Sequence, residues 1–407
     1  MAEEGPRLSR SLTLPLLILY GVGVTIGAGI YVLIGAVAGH AGRFAPLSFV
    51  IAAIVMGLTV CSYAELCTRY PVAAGEPAYI KAAFQGRWLS TITGTIMIAS
   101  GVIAAATVAL GSTGYVAQFI DVPAWIVVSV VVVGLGIVSA WGIMESVLLA
   151  SIFTVIEVAG LLIIIAVAIY ADIPFSEAIF AWPSLVTGTW LGIGYASLLA
   201  FFAFTGFEDL TNLVEEAKSP ERNIPIAMAV TLVITTVLYV LITAIAVVAL
   251  QPKELSASAA PLSLVYRKIA GFSPALISAI AIVATLNTII AQMTMATRVV
   301  YGMARQGDLP RFLGTVNRAT ATPGNATALI ILMVLCLALF VSFEKLAEFT
   351  SLATLVVFVL VNLALIGIRW KAIAPAQARS IVRVPILVPW LGLASCVGMI
   401  AMSLYGE

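Results

Sequence analysis

Gly21-Val22-Gly23-Val24-Thr25-Ile26-Gly27-Ala28-Gly29-Ile30-Tyr31 and, far downstream, Phe201-Phe202-Ala203-Phe204-Thr205-Gly206-Phe207-Glu208-Asp209 decide how this chain folds. Each stretch lies in an apolar run long enough to cross a bilayer, and each is interrupted by glycine near the middle of that run. Glycine has no Cβ, weakens a helix and lets the backbone bend or unwind. At mid-membrane depth, unwound backbone is tolerated only where protein buries it or where it lines a cavity. If the first stretch unwinds at Gly27-Ala28-Gly29, N–H groups at the start of its second half favour a carboxylate, through hydrogen bonds and the helix dipole. Carbonyls ending the first halves favour an ammonium. The competing reading is that small residues simply let helices pack closely, and Gly23 and Gly27 have the Gly-x-x-x-Gly spacing for it.

The rest of the chain supplies the setting. Of 407 residues, 62% are hydrophobic and 10% charged, against roughly 45–50% and about 25% in soluble domains. Lipid is therefore the solvent. A bilayer-crossing helix takes about 20 apolar residues to span about 30 Å, and eleven stretches qualify: Thr13–Ala38, Pro46–Tyr70, Leu89–Phe119, Pro123–Gly142, Val147–Tyr170, Thr187–Leu213, Ile224–Leu250, Ser273–Ala304, Asn325–Phe343, Leu346–Ile368 and Val384–Leu404. The short turn Trp141–Glu145 is where the count is softest. Met1 to Arg10 is polar and the apolar run after it is too long for a cleavable leader. With the N-terminus inside, 15 of the 20 Lys and Arg, among them Arg7, Arg87, Arg318 and Arg379, fall on inner segments. The positive-inside rule then places the N-terminus in the cytoplasm and the C-terminus outside, in a multi-pass protein of the plasma membrane.

Other classes find little support. A net charge of +1 gives no basic patch for nucleic acid. Cys61, Cys67, Cys336 and Cys396 sit in apolar runs without metal-ligand spacing, and the single histidine, His40, reads as a loop residue. The sequence points to no metal, no cofactor and no catalytic constellation, and hence to no enzyme. It shows no repeated carbonyl filter of a channel. A non-transporting amino acid sensor usually adds a soluble domain, and none interrupts the spans. The chain reads as one membrane domain, residues 1–407, with two five-span halves at about 13–170 and 187–368 and an extra span at 384–404. The two interrupted spans, 1 and 6, stand first in each half. Paired breaks in corresponding spans point to an inverted-repeat transporter.

The motifs match a family at this point. Thr25-Ile26-Gly27-Ala28-Gly29-Ile30-Tyr31 resembles the span 1 signature of the amino acid–polyamine–organocation transporters, which have the all-α, LeuT-type five-plus-five inverted-repeat fold. Phe201 to Glu208 resembles their span 6. Glu215-Glu216-Ala217-Lys218-Ser219-Pro220-Glu221-Arg222-Asn223-Ile224-Pro225 resembles their following inner loop, and Arg298 to Pro310 the end of their span 8. The resemblance implies a secondary transporter of amino acids working by alternating access. Broken spans 1 and 6 tilt with 2 and 7 against 3, 4, 8 and 9, while 5 and 10 gate. It implies a substrate carboxylate at the N–H groups of Gly27, Ala28 and Gly29, and an ammonium at the carbonyls of Thr25, Ile26, Phe202, Ala203 and Thr205. It also implies an aromatic gate at Phe202 or Phe204, Phe202 preferred. By helical spacing from these segments, Ala105 and Gln292 should face the same cavity. Ala28, Ala105 and the phenylalanines make an apolar pocket for a neutral amino acid; a cationic amino acid or polyamine is the alternative. Family members usually have twelve spans, which leaves the oligomeric arrangement open.

Two carboxylates stand out. Glu157 lies about ten residues from either end of span 5, about 15 Å from water at 1.5 Å per residue. An intramembrane carboxylate costs roughly 2.5–3.5 kcal/mol or more and marks a functional site by default. Three roles compete: a titrating proton carrier, a fixed anion for sodium or a cationic substrate group, or a paired structural group. The resemblance places a lysine here in several proton-coupled relatives, and in sodium-coupled folds a sodium ion near here between spans 1, 5 and 8. Glu208 follows the span 6 break, where it caps a second half-helix or, as the resemblance implies, takes part in gating or a pH response. Asp209 reads as a capping or inner-cavity residue. Glu65 and Arg69 read as ordinary gate or interface charges.

Overall fold

The computed structural model describes residues 10–71, 75–140, 147–317, 322–373 and 382–404. The turn at 141–145, the loop residues Arg7, Arg318 and Arg379, and the side chain of Arg87 lie outside the described residues. Sixteen α-helices follow in order: α1 Leu14–Ile26, α2 Gly29–Ala41, α3 Ala45–Arg69, α4 Gly75–Phe84, α5 Arg87–Val116, α6 Ala124–Ala140, α7 Val147–Tyr170, α8 Ser176–Ile179, α9 Thr187–Phe202, α10 Pro220–Ala249, α11 Pro252–Ala257, α12 Pro261–Ala270, α13 Ala275–Gln306, α14 Gly324–Phe340, α15 Phe343–Trp370 and α16 Leu387–Ser403. No strand occurs among the described residues; one bridge joins Leu12 to Ala217. Span 1 is α1 plus α2 and span 6 is α9 plus a 3-10 turn, Phe207–Leu213. Spans 2, 3, 4, 5, 7, 8, 9, 10 and 11 are α3, α5, α6, α7, α10, α13, α14, α15 and α16. Among the described residues, seven stretches are long and apolar enough to cross a membrane, and four shorter apolar helices accompany them. The shortest spans, α6, α14 and α16, have 17 residues each, the lower end of what a bilayer core takes, about 17–25.

Burial runs opposite to that of a soluble protein. Ile54, Val130, Leu162, Val233 and Leu332 each keep more than half of their surface exposed, on five different helices. Ser62, Thr59 and Asn362 are wholly buried and joined: Ser62 donates to Asn362 Oδ1 at 2.7 Å, and Asn362 Nδ2 donates to Thr59 Oγ1 at 3.0 Å. Trp88, Tyr170 and Trp370 stand exposed at helix ends, where amphipathic rings sit at the lipid headgroups. A lipid-facing exterior needs just this distribution.

The two ends of the bundle differ. At one end, Leu12 exchanges backbone hydrogen bonds with Glu216 and Lys218, and Gly75 of α4 abuts Thr211 and Asn212. The chain start, the span 2–3 connection and the span 6–7 connection therefore meet there. Glu65 anchors the same end: its carboxylate accepts from Arg69 and from Arg369 of α15, and from the Val384 N–H at 3.0 Å. Glu65 and Arg69 thus belong to a tie between α3, α15 and the segment leading into α16. At the opposite end, His40 lies in the last turn of α2, not in a loop, and bonds to Glu344 at the start of α15. Its ring lies edge-on to Tyr195 of α9, which donates to Glu348.

Candidate functional site

Both breaks fall where the glycines place them. α1 ends at Gly27, whose φ of +32° and ψ of −136° suit glycine alone. α9 ends at Phe202, and after three turn residues Gly206 takes φ +116°. Span 6 does not resume as an α-helix. Glu208 Oε2 accepts the Gly206 N–H at 2.8 Å, and the chain continues as the 3-10 turn Phe207–Leu213. Glu208 thus binds the N–H of the glycine behind it, and no α-helix follows for it to cap.

The breaks touch each other. A Cβ on Gly29 would stand 2.6 Å from Ala203 Cα, and one on Gly206 would stand 2.8 Å from the Val24 carbonyl oxygen. The sequence gives no hint of what fastens them. Tyr239 of α10 is fully buried, and its hydroxyl lies 2.8 Å from the Thr25 carbonyl, 2.7 Å from the Ala203 carbonyl and 3.4 Å from that of Ile26. One hydroxyl proton thus serves the carbonyl ends of both half-helices. The ring packs edge-on against Phe204 at 4.9 Å and Phe49 at 5.5 Å. Tyr239→Phe keeps that packing and strips the hydroxyl from buried carbonyls. It is expected to lower stability by about 1–3 kcal/mol, read as a fall in the thermal unfolding midpoint in detergent. An unchanged midpoint would show that the carbonyls find other partners.

The expected carboxylate donors are only partly available. The Gly27 N–H closes α1 onto the Gly23 carbonyl at 2.9 Å, and the Ala28 N–H donates to Thr288 Oγ1 of α13 at 2.9 Å. The groups heading α2 are the N–H of Gly29, Ile30 and Tyr31, which helix geometry leaves without an i−4 partner. Thr25 Oγ1, also buried, has no hydrogen bond among the described residues.

Glu157 of α7 is completely buried at the junction of spans 1, 5 and 8. Its Oε1 accepts from Asn287 Nδ2 of α13 at 3.0 Å, while Oε2 has no hydrogen bond among the described residues. Its backbone carbonyl accepts from Tyr31 of α2 at 2.7 Å. Asn287 is followed by Thr288, the residue on the Ala28 N–H, so one turn of α13 holds both the carboxylate and the span 1 break.

A narrow cavity opens beside the breaks, toward the end where α4 and the span 6–7 connection meet. Its volume of about 40 Å³ is room for a few waters at about 10–15 Å³ each, so an amino acid enters only with movement of the walls. Thr205, Gln292 and Glu208 line it, as does Asp209. Thr25 to Gly29, Phe202, Ala203 and Phe204 do not; they form the buried layer behind it. Phe202 is 4% exposed and Phe204 not at all. Ala104 rather than Ala105 faces the cavity, which is a difference of one residue, or about 100° of helix rotation. The rings on the cavity wall are Tyr63 of α3 and Phe358 of α15.

Comparison with known proteins agrees with this architecture. Residues 12–406 match the model of a family described as amino acid permease. The vacuolar cationic amino acid transporter 2 of Arabidopsis thaliana is 30% identical over 397 residues, covering 90% of this chain and 61% of the relative. The branched-chain amino acid permease BcaP of Bacillus subtilis is 29% identical over 410 residues, covering 94% and 86%. An uncharacterized transporter of Mycobacterium bovis is 30% identical over 400 residues, covering 96% and 85%. The chain thus spans somewhat under two thirds of the plant relative's length and most of the two bacterial ones. The match runs through both breaks and every described span, and the chain belongs to the amino acid permease family.

Proposed function

We propose that this permease carries α-amino acids across the plasma membrane by alternating access, driven by protons taken up and released at Glu157. The observation that supports it most is the meeting of the two broken spans, with Tyr239 bridging carbonyls of both. A zwitterion needs donors for its carboxylate and acceptors for its ammonium, close together and away from water. The N–H groups heading α2 and the carbonyls ending α1 and α9 offer these without any charged side chain. For the ammonium to reach Thr25 and Ala203, the Tyr239 hydroxyl must yield one of them, so substrate binding and the seam between the half-helices are coupled. Phe202 or Phe204 would gate by swinging out of the buried layer.

The coupling rests on position. Glu157 touches spans 1, 5 and 8 together, and the α13 turn beside it holds the Ala28 N–H. A change in its charge state is felt at the break two bonds away. The N-terminus would lie in the cytoplasm, with the cavity opening to that side. Relatives named for cationic and for branched-chain amino acids support amino acid transport, and the choice between them rests with the cavity. Uptake of radiolabelled amino acids into proteoliposomes, with proton and sodium gradients imposed separately, tests the proposal. Accumulation driven by an inward proton gradient is expected. Accumulation driven by sodium alone would make Glu157 an ion ligand, and flux only against preloaded substrate would make the protein an exchanger.

A further inference from the structure

Glu76 belongs to no motif and lies in no apolar stretch of the sequence. It lies in the first turn of α4, outside the spans, yet is 2% exposed. Its Oε1 accepts from the Tyr63 hydroxyl at 2.8 Å, and its Oε2 has no hydrogen bond among the described residues. Glu76 lines the cavity beside the breaks, together with Glu208 and Asp209, and neither Lys nor Arg is among the lining residues. Burying a carboxylate with one oxygen unsatisfied is costly unless a cation or donor completes it. Two rings on the same wall, Tyr63 and Phe358, stand 5.6 Å apart edge-to-face; aromatic faces attract cations. Met97 and Met295 supply apolar wall to the same cavity.

We propose that this cavity is a subsite for a cation, the guanidinium or ammonium at the far end of a basic amino acid, with Glu76 as its anchoring carboxylate. The proposal rests on the transport reading above and adds the substrate class. With the α-carboxylate and α-ammonium at the breaks, a long side chain enters the cavity beside them, and its head meets Glu76 and the two rings. Glu76 Oε2 then receives the donor it lacks. Burial pushes the Glu76 carboxyl up from its ordinary value, and an arriving guanidinium favours the charged form again. A neutral side chain of the same length would leave three carboxylates without a counter-charge in a water-poor cavity.

The test compares arginine with citrulline, which has the same length but a neutral urea in place of the guanidinium. In proteoliposomes the wild-type protein should favour arginine by about tenfold or more in kcat/KM, and Glu76→Gln should reduce the arginine-to-citrulline ratio by about tenfold, the loss expected for one charged hydrogen bond. Asp209→Asn should reduce it in the same direction, which keeps the test open should Glu76→Gln fail to fold. A wild-type ratio near one, or a ratio unchanged in both variants while absolute rates fall, would overturn the subsite and leave amino acid transport standing. Flux of neither amino acid, nor of any neutral one, would overturn the transport reading itself and this proposal with it.

Discussion

Glu157→Gln is expected to abolish proton-driven accumulation of substrate in proteoliposomes while exchange of external for internal substrate continues. The substitution is nearly isosteric, and Asn287 Nδ2, now 3.0 Å from Glu157 Oε1, can donate to the amide oxygen of glutamine as it does to the carboxylate. The Tyr31 hydroxyl bonds the backbone carbonyl of residue 157, which no side-chain change removes. Packing between spans 1, 5 and 8 should therefore survive. What glutamine cannot do is take up and release a proton. If Glu157 carries the coupling proton, uphill transport collapses to equilibration, while exchange, which needs no net proton movement, persists. Accumulation equal to that of wild type would exclude Glu157 as the proton carrier. Loss of both accumulation and exchange, with a lowered unfolding midpoint, would instead make it a structural group.

How much of this was legible beforehand follows from which interactions are local. Hydropathy is a property of a short window, so within the described residues each of the eleven apolar stretches coincides with a helical segment of the structure. Glycine's freedom at φ is a property of one residue, so Gly27 and Gly206 marked the breaks. Tyr239 was invisible because Leu238-Tyr239-Val240 reads as ordinary apolar helix, and only the crossing of α10 over both breaks gives its hydroxyl a task. The adjacent polar pair Asn287-Thr288 in the middle of span 8 was a usable signal, since such side chains at membrane depth need partners. Glu76 offered a weaker one, a carboxylate in a short connection whose burial only the folded chain reveals. The continuation of span 6 departs from the expected second half-helix, and Phe207-Glu208-Asp209-Leu210-Thr211-Asn212-Leu213, with three apolar residues in seven, gives no periodic signal that decides between the two outcomes. The Glu208 side chain takes up the Gly206 N–H, and the backbone tightens into a 3-10 turn. Ala104 and Ala105 differ by one step on a helix whose rotation the sequence does not specify.

Gly29→Ala should be strongly damaging at the crossing of the two breaks, because the obstacle is backbone. The added Cβ would stand 2.6 Å from Ala203 Cα and 2.9 Å from its Cβ, and neither atom can rotate away. By helix propensity alone alanine is favoured over glycine by about 1 kcal/mol, so any loss must come from the crossing of the breaks. Forcing a methyl into a filled contact costs about 1–3 kcal/mol where the surroundings shift, and here a shift separates the carbonyls of Thr25 and Ala203 that share Tyr239. Uptake is expected to fall by more than about tenfold together with the unfolding midpoint. Gly302→Ala is the control: it lies inside α13 with nothing within 4 Å of the added carbon, so propensity should act alone and leave uptake intact. If Gly29→Ala transports as well as Gly302→Ala, spans 1 and 6 do not stay in contact through the cycle. The breaks would then have to part for substrate to pass between them, and Tyr239 would be the fastening that opens, not a permanent seam.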